Sequence, residues 1–239
     1  MKKIINVLIL FLLLPFLAST QEIFDTSVGE LKITIVGHAS LMLEFQDKII
    51  HIDPWSQLGD YGQLPDADLI LLTHEHRDHL DQSALDKITS SNTKMIYTRV
   101  CDSILTYSGA KEILINGDRT SFESIDIEAV PAYNLVHKRD DGQLFHPKGR
   151  GNGYVLTFGD TRLYIAADTE DIPEMKQLGQ IDIAFIPMNI PYTMTPEMAA
   201  NAAKMIQPKI LYPYHYGDSD LNKLAELLKD EKNIEVRIR

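Results

Sequence analysis

The sequence contains little cysteine and comparatively little positive charge, and each shortage excludes a class of protein. Cys101 is the single cysteine among 239 residues, so the chain has no internal disulfide, and we expect this thiol to pack in the core. Lysine and arginine number 23 against 34 acidic residues, which gives a net charge of −11. We therefore expect no binding of nucleic acid or of anionic membranes through bulk electrostatics.

Two common catalytic or cofactor motifs are also absent. The sequence has no Gly-x-x-x-x-Gly-Lys-Ser/Thr loop for binding nucleotide phosphates. His74 and Glu75 do not begin a His-Glu-x-x-His protease motif, because residue 78 is an aspartate. Neither a nucleotide-binding protein of the phosphate-loop type nor a His-Glu-x-x-His protease is therefore indicated.

The first twenty residues predict a secretory signal peptide. Lys2 and Lys3 supply a positively charged start, and an apolar stretch over residues 4–18 follows. A membrane span needs about twenty apolar residues, so we expect cleavage before Gln21 and no stable membrane insertion afterwards. The expected location is the periplasm or the extracellular medium, with a single domain over residues 21–239.

Apolar, β-branched runs predict many strands and few helices. Thr195 and Pro196 are the expected N-cap and first position of a helix that extends to about Ile206. Ser219 is the expected cap of a second helix, and residues 82–90 form a third. No linker or internal repeat is evident, and the order of elements is compatible with two sheets between helices, as well as with other α/β folds. The predicted strands cover residues 31–36, 41–45, 48–52, 69–73, 94–98, 124–130, 153–158, 161–167, 182–187, 209–212 and 234–238.

A metal-binding pattern lies directly after the predicted strand 69–73. It places three imidazoles and the carboxylate of Asp78 within six residues, namely at His74, His76, Asp78 and His79. Imidazole nitrogen and carboxylate oxygen are donors that Zn²⁺ and similar metals take from proteins. We therefore predict that this loop holds metal.

Two later segments offer the further ligands that a stable metal site needs. Asp168 follows one predicted apolar strand, and His215 follows another. In α/β proteins, functional sites form where buried strands meet loops. Asp168 and His215 are therefore candidate ligands that complete the site.

The pattern His-x-His-x-Asp-His resembles the signature of the metallo-β-lactamase superfamily. Further motifs across nearly the whole mature chain are similar to the UlaG-like branch of metal-dependent hydrolases, which includes an ascorbate-6-phosphate lactonase. The resemblance implies a four-layer αβ/βα sandwich, with the metals at one edge between two sheets. The motifs are Gly37-His38-Ala39-Ser40, Ile52-Asp53-Pro54, Pro131-Ala132-Tyr133-Asn134, His146-Pro147-Lys148-Gly149, Asp168-Thr169-Glu170 and Pro213-Tyr214-His215-Tyr216-Gly217.

The resemblance also implies a role for each ligand. The first metal would be bound by His74 and His76. Asp168 would bridge the two metals. The second metal would be bound by Asp78, His79 and His215.

One position departs from the superfamily pattern. A histidine usually follows the third motif, but this chain has Asn134 there, and an amide oxygen is a weaker ligand than imidazole. The place is filled by Asn134, by water, or by His146 or His137 folding back. His146 is the better candidate because it begins a glycine-rich segment, and it equally suits a substrate contact, whereas His137 lies among charged residues and is expected to be exposed. The departure leaves open whether the site holds one metal or two.

Other polar residues are expected near the metals without binding them. Asp53 closes a predicted strand and is expected to orient a ligand histidine, as is Asp81. His38 is expected either to form a hydrogen bond within the site or to be structural, and His51 is expected in the core or at the surface. The candidate substrate contacts are Tyr192, Tyr214, Lys148 and Arg150.

The predicted function is that of a metal-dependent hydrolase with one or two Zn²⁺ per chain, although Mn²⁺ or iron suits the same donors. A metal lowers the pKa of a bound water to about 7, and Asp78 is the expected catalytic residue that orients the hydroxide or moves a proton. The expected substrate is a small ester, lactone or phosphodiester. The alternatives are a non-catalytic periplasmic metal-binding protein and a β-lactam hydrolase, and formation of a homo-oligomer stays open. Di-iron redox chemistry is disfavoured because the flavodiiron relatives of the superfamily carry glutamate where His76 stands.

Overall fold

The computed structural model describes residues 20–239, which contain two seven-stranded β-sheets. The signal peptide predicted for residues 1–20 lies, apart from Thr20, outside the described residues. The first sheet contains, in spatial order, β1 Thr20–Thr26, β2 Gly29–Gly37, β3 Ser40–Phe45, β4 Lys48–Ile52, β5 Ala67–Leu71, β6 Thr89–Tyr97 and β7 Ala110–Ile113. The second sheet contains β8 Arg119–Phe122, β9 Ile125–Ala132, β10 Gly151–Phe158, β11 Thr161–Ile165, β12 Ile183–Pro187, β13 Ile210–Tyr214 and β14 Glu235–Val236.

The two halves of the chain have the same strand topology. In the first sheet, β1 to β4 pair antiparallel and β4 to β7 pair parallel. In the second sheet, β8 to β11 pair antiparallel and β11 to β14 pair parallel. The fold is thus a repeat in topology that the sequence does not show as a repeat of residues.

The strands that the sequence did not predict are edge strands. β1 and β7 border the first sheet, and β8 borders the second. β1 has no fully buried residue, so it lacks the apolar run that marks an interior strand. β14, another edge strand, has two residues where five were predicted, and β6 begins at Thr89, before the predicted residue 94.

Helices cover the outer faces of both sheets. They are α1 Gln82–Ile88, α2 Arg99–Asp102, α3 Pro196–Ile206 and α4 Leu221–Leu228. Thr195 caps α3 as predicted. The predicted cap Ser219 is wrong by one residue, since the carboxylate of Asp220 accepts from the backbone amides of Asn222 and Lys223. Among residues 20–239, no helix combines the length and apolar character needed to cross a membrane.

Three apolar clusters define four layers. The central cluster lies between the sheets, where for example Phe45 and Phe158 pack edge to face with ring centroids 4.9 Å apart. A second cluster joins the outer face of the second sheet to α3 and α4, and a third joins the outer face of the first sheet to α1. This order of helix, sheet, sheet and helix confirms the predicted four-layer αβ/βα sandwich.

Two residues that the sequence set apart from the metal motif lie in the outer core. Burial raises the pKa of the Cys101 thiol to about 11, so it stays protonated and packs, as expected. His51 is buried, and its Nε2 lies 3.1 Å from the carbonyl oxygen of Pro65. Burial lowers the pKa of His51 to about 4. This imidazole is therefore a neutral core residue and belongs to neither cluster described below.

Candidate metal centre

The candidate site lies at the edge of the sandwich where parallel strands of both sheets end. Asp53 directly follows β4 and His74 follows β5 in the first sheet. Asp168 follows β11 and His215 directly follows β13 in the second sheet. Because the carboxyl ends of parallel strands meet at one edge, four polar side chains that are distant in sequence converge there.

The backbone is strained where it enters this site. Four non-glycine residues here have positive φ angles, which L-amino acids rarely adopt: 49° at His38, 44° at Asp53, 60° at Ala167 and 45° at His215. Such conformations cost on the order of 1–3 kcal/mol each and are concentrated at functional sites. These positive φ angles therefore lower local stability, and they direct the side chains into the site.

A first ligand set brings together His74, His76, His146 and Asp168. His76 Nδ1 lies 3.1 Å from both His74 Nε2 and His146 Nε2, and His146 Nε2 lies 3.2 Å from Asp168 Oδ2. Ligands in a tetrahedron around zinc, at about 2.0–2.1 Å from the ion, stand roughly 3.4 Å apart. The separations of these four donors fit one such ion.

A second ligand set adjoins the first through Asp168. Its Oδ1 lies 3.4 Å from His79 Nε2 and 3.5 Å from His215 Nε2. Asp78 Oδ2 lies 3.3 Å from His215 Nε2 and 2.9 Å from His38 Nε2. His38, Asp78, His79 and His215 could together hold an ion. Because Asp168 Oδ1 also approaches His79 and His215, we define the second set as Asp78, His79, His215 and Asp168, with His38 at its border.

Two atoms of the second set are buried without a hydrogen-bond partner among the described residues. They are His79 Nε2 and Asp168 Oδ1. Buried polar atoms in native proteins nearly always have a partner, and a missing one indicates an ion or water. A divalent cation between these two atoms satisfies both, so the residues present fit a metal.

The electrostatics of the first set favour the metal-binding form of its histidines. Burial, together with neighbouring imidazoles, lowers the pKa of His76 to about 4 and that of His74 well below its ordinary value. Metals bind neutral imidazole. Both rings are therefore in the form that binds a metal at neutral pH, with no proton to displace.

The carboxylates of Asp168 and Asp53 favour positive charge in the second set. Burial opposes ionisation of Asp168, yet His215 and His79 hold its pKa well below the ordinary value. Burial likewise opposes charge on His79, but Asp168 and Asp53 raise its pKa well above the ordinary value. These groups favour a positive charge between them, and a metal can replace the proton on His79.

Asp53 lies behind the second set and fixes its central histidine. Its carboxylate accepts from His79 Nδ1 at 2.7 Å and from the backbone amide and hydroxyl of Thr73 at 2.8 and 2.6 Å. The bond to Nδ1 directs the lone pair of Nε2 into the second set. The sequence proposed this orienting role for Asp53, and the geometry places the residue accordingly.

His146 occupies the position that the third motif leaves without a histidine. Asn134 Oδ1 accepts from His146 Nδ1 at 2.6 Å and from the His146 backbone amide at 2.9 Å. Its Nδ2 donates to Glu170 Oε1 and to the Tyr192 carbonyl oxygen, each at 2.9 Å. Asn134 therefore stands behind His146 and directs His146 Nε2 into the first set, so the alternative that Asn134 itself is a ligand is wrong.

Several other expectations need correction. Asp81 contacts no site histidine, because its carboxylate caps α1 and accepts from the Ser56 amide at 2.8 Å. His137 is half-buried rather than exposed, with Nδ1 2.6 Å from Glu170 Oε1. The hydroxyl of the buried Tyr214 accepts from the Ala167 amide, so this ring cannot contact substrate.

The basic residues of the glycine-rich segment are also engaged elsewhere. Lys148 Nζ lies 2.6 Å from Glu174 Oε1. Arg150 Nε donates to Glu75 Oε1 at 3.0 Å. Neither cation lines the cavity beside the second set. Tyr192 does line that cavity and keeps its place as a candidate substrate contact.

Sequence reasoning missed Glu170, which organises the loop around the first set. Its side chain is fully buried and accepts from Asn134 and His137 side chains and from the amides of Leu135, Val136 and His137, at 2.6 to 2.9 Å. Burial opposes its ionisation, but these donors hold its pKa below the ordinary value. The motif Asp168-Thr169-Glu170 was the one available signal, and it gave no role for the glutamate.

Replacing Asn134 with alanine should weaken metal binding at the first set by about 10- to 100-fold, the usual effect of losing a partner that orients a ligand histidine. His146 would lose the acceptor for Nδ1–H. Competition with a chromogenic zinc chelator measures this affinity. The matched control is Asn201→Ala, which removes an exposed amide bonded to Asp171. Unchanged zinc affinity in Asn134→Ala would contradict the assignment of His146.

A two-sheet sandwich with two adjoining imidazole–carboxylate sets at one edge defines the class of metal-dependent hydrolases, and comparison with known proteins places the chain within it. The β-lactamase superfamily domain matches residues 32–215, so the chain belongs to this family. A UPF0173 metal-dependent hydrolase of Pyrococcus furiosus is 31% identical over 195 residues, which cover 77% of this chain and 84% of the relative. A Koribacter versatilis relative of the same description is 32% identical, over 86% of this chain and 92% of its own length.

Solved structures agree with this assignment. A crystal structure from Parabacteroides distasonis ATCC 8503, described as a metal-dependent hydrolase, is 50% identical with a TM-score of 0.87, covering 92% of this chain and 98% of that one. A metallo hydrolase of Ignicoccus hospitalis is 23% identical with a TM-score of 0.72, covering 87% of this chain and 94% of that one, and supports the fold. The predicted fold and enzyme class, a metal-dependent hydrolase, are thereby confirmed.

Proposed function

We propose that this protein binds two divalent ions, preferentially zinc, and hydrolyses a small ester, lactone or phosphodiester. The observation that carries the proposal is the position of Asp168, which offers Oδ2 to the first set and Oδ1 to the second. A carboxylate shared in this way is suited to bridge two ions. The histidine-rich donors favour zinc, and Mn²⁺ or iron would also suit them.

When bound, the metals supply Lewis-acid polarisation of the carbonyl or phosphoryl oxygen and a hydroxide at neutral pH. The chain's own part is to position the reactants. Although burial opposes its ionisation, hydrogen bonds to His215 and His38 hold the pKa of Asp78 far below its ordinary value. Asp78 therefore stays ionised and can accept a hydrogen bond from the attacking water. His38, with Nε2 2.9 Å from Asp78 Oδ2, anchors that carboxylate.

A cavity of about 410 Å³ opens directly on the second set. Its volume lies in the range of about 300–1,000 Å³ that suits small molecules. Its lining combines polar groups with the rings of Phe145 and Tyr192. We therefore place the substrate in this cavity, with its reacting group toward Asp78 and His215.

The proposal extends to the cellular location of the protein and to its relationship with the UlaG-like branch. The charged start and apolar stretch of residues 1–20 support export, so we place the mature enzyme in the periplasm or outside the cell. The motifs around His38, Asn134 and His146 support a UlaG-like relationship within the superfamily. We propose a small-molecule substrate as the main partner, with no role for nucleic acid.

A substrate panel tests the proposed function. Tested on lactones, phosphodiesters and β-lactams, zinc-loaded protein should hydrolyse lactones or phosphodiesters rather than β-lactams, lose that activity on chelation and regain it with zinc. Elemental analysis of the same sample gives the metal content. Two ions per chain with no turnover of any class would contradict the proposed hydrolysis and favour the metal-binding protein.

A further inference from the structure

Two cations without a carboxylate partner among the described residues lie beside the metal centre. Most lysine and arginine side chains among residues 20–239 have a carboxylate of that part of the chain within 4.0 Å, and six do not. Two of these six line the cavity of about 410 Å³ that opens on the second set. The six are Arg77, Arg99, Lys138, Arg139, Lys176 and Lys232.

We propose that Arg77 and Arg139 form an anion subsite that binds a carboxylate or phosphate carried by the substrate away from the bond that is hydrolysed. This inference rests on the proposed function, because it adds a substrate class to the same cavity. The class is an ester, lactone or phosphodiester with an additional anionic group.

Arg139 is held beside the first set with donors to spare. Its Nη2 lies 3.1 Å from His76 Nε2 and donates to the Phe145 carbonyl oxygen at 3.2 Å. The guanidinium carbon lies 5.1 Å from the centroid of the Phe145 ring. A guanidinium has five N–H donors, so Nη1 and Nε remain available to a ligand. Arg139 lies on the Nε2 side of His76, whereas Nδ1 faces the other donors of the first set, so Arg139 is placed to meet a group near the reacting centre rather than the centre itself.

The loop that carries Arg139 is well braced. A backbone bridge joins Lys138 to Leu144, and the Arg139 amide donates to the Gln143 carbonyl oxygen at 2.7 Å. Tyr192 packs edge to face on Phe145, with ring centroids 5.1 Å apart. Because its supports are already in place, Arg139 would lose little conformational entropy on binding an anion.

Arg77 supplies the second cation. It lies between the ligands His76 and Asp78 in sequence, its side chain is exposed, and it lines the same cavity as Arg139. The cavity's acidic residues, Asp78 and Asp168, belong to the ligand sets. The charge of the two arginines is therefore left uncompensated in a chain whose net charge is −11, and a cleft of this kind attracts anions.

The chemistry of arginine limits what binds here. Guanidinium recognises carboxylate and phosphate through paired hydrogen bonds, which gives both strength and orientation. The rings of Phe145 and Tyr192 offer apolar contact for a short chain next to that anion. The preferred ligand thus has two polar ends, one toward the metals and one toward the arginines.

Titration calorimetry with matched acids tests the subsite without requiring turnover. Zinc-loaded protein, in a buffer free of carboxylate and phosphate, is titrated with acetate, with succinate and with 3-phosphonopropionate. We expect one of the two-ended acids to bind at least about tenfold more tightly than acetate, as paired charge-assisted bonds allow. Tighter binding of succinate would indicate a carboxylate ligand, and tighter binding of 3-phosphonopropionate would indicate a phosphate ligand.

Variants assign the preference to the arginines. In Arg77→Gln and in Arg139→Gln, the affinity for the two-ended acid divided by the affinity for acetate should fall toward one. The control Lys232→Gln should keep the ratio of the unmodified protein. Lys232 is an exposed, unpaired cation that precedes β14, at the opposite edge of the sheet. Zinc content is measured in each variant, so that if Arg139→Gln loses metal the Arg77 variant carries the test.

The outcomes separate this inference from the proposed function. Two results would overturn the subsite, even if the protein hydrolyses a member of the substrate panel. One is that the unmodified protein does not bind a two-ended acid more tightly than acetate. The other is that this preference survives in Arg77→Gln and in metal-replete Arg139→Gln. A preference that depends on the arginines, in a protein that turns over nothing, supports the subsite and overturns only the hydrolysis.

Discussion

Replacing Asp168 with asparagine should remove both metal ions and reduce hydrolysis by about a thousandfold, since metal-supplied stabilisation of the transition state is worth several kcal/mol. Asp168 offers one carboxylate oxygen to each set, so no other single residue is required by both. The amide nitrogen of asparagine would face imidazole nitrogens in place of a charged oxygen. Elemental analysis and steady-state kinetics measure the two effects.

The matched control for this change is Asp182→Asn. Asp182 is also a buried carboxylate, but it precedes β12 at the opposite edge of the sheet, where it accepts from the Arg162 amide at 2.8 Å and pairs with Lys209 at 2.7 Å. Its loss should lower stability and leave metal content intact. If Asp168→Asn instead retained two ions per chain, the bridging role would be refuted.

Replacing Asp78 with asparagine should have the second largest effect and a different signature. The second set would lose its ion, the first set would keep one, and the rate would fall about 10²- to 10⁴-fold, as for loss of a group that takes part in proton transfer. The expected metal content is therefore one per chain rather than none. Among the described residues, Asp78 Oδ2 approaches His38, His215 and His79, and no histidine of the first set.

A control for Asp78→Asn lies in the same loop. Glu75→Gln removes a carboxylate that pairs with Arg150 and belongs to neither set. It should retain two ions and most of the activity. Loss of both ions in Asp78→Asn would show that the two sets are not separable, which contradicts the ligand assignment.

The sequence was informative where the site is local or follows a strong strand. Four of the candidate ligands lie within six residues after β5, so their proximity required no knowledge of the fold. Asp168 and His215 follow buried, apolar strands, and parallel strands bring such ends together. The central strands and α3 were also predicted from local signals, because the apolar runs of the strands and the Thr195 cap of α3 each consist of residues adjacent in sequence.

The rest depends on contacts between loops that no local pattern encodes. His146 reaches the first set because Asn134 and Glu170 hold two loops against each other, across 36 residues of sequence between Asn134 and Glu170. The cap role of Asp81 and the pairing of Arg150 with Glu75 likewise depend on which partner lies nearest in space. Edge strands such as β1 were missed because a half-exposed strand has no apolar run to mark it.

Asn134 shows how the site tolerates the missing third-motif histidine. The strand end supplies an amide in place of an imidazole, and the imidazole comes instead from His146 on the following loop, bonded to that amide at 2.6 Å. The ligand and its orienting partner are thereby drawn from two segments. The same loop carries Arg139, so the element that completes the first set also borders the substrate cavity.

The most direct test of the central claim, that Asp168 joins two metal ions, is an anomalous difference map from crystals of zinc-loaded protein measured at the zinc edge. We predict two peaks, one on each side of the Asp168 carboxylate, the first contacted by His74, His76 and His146 and the second by Asp78, His79 and His215. A single peak, or peaks away from Asp168, would contradict the account.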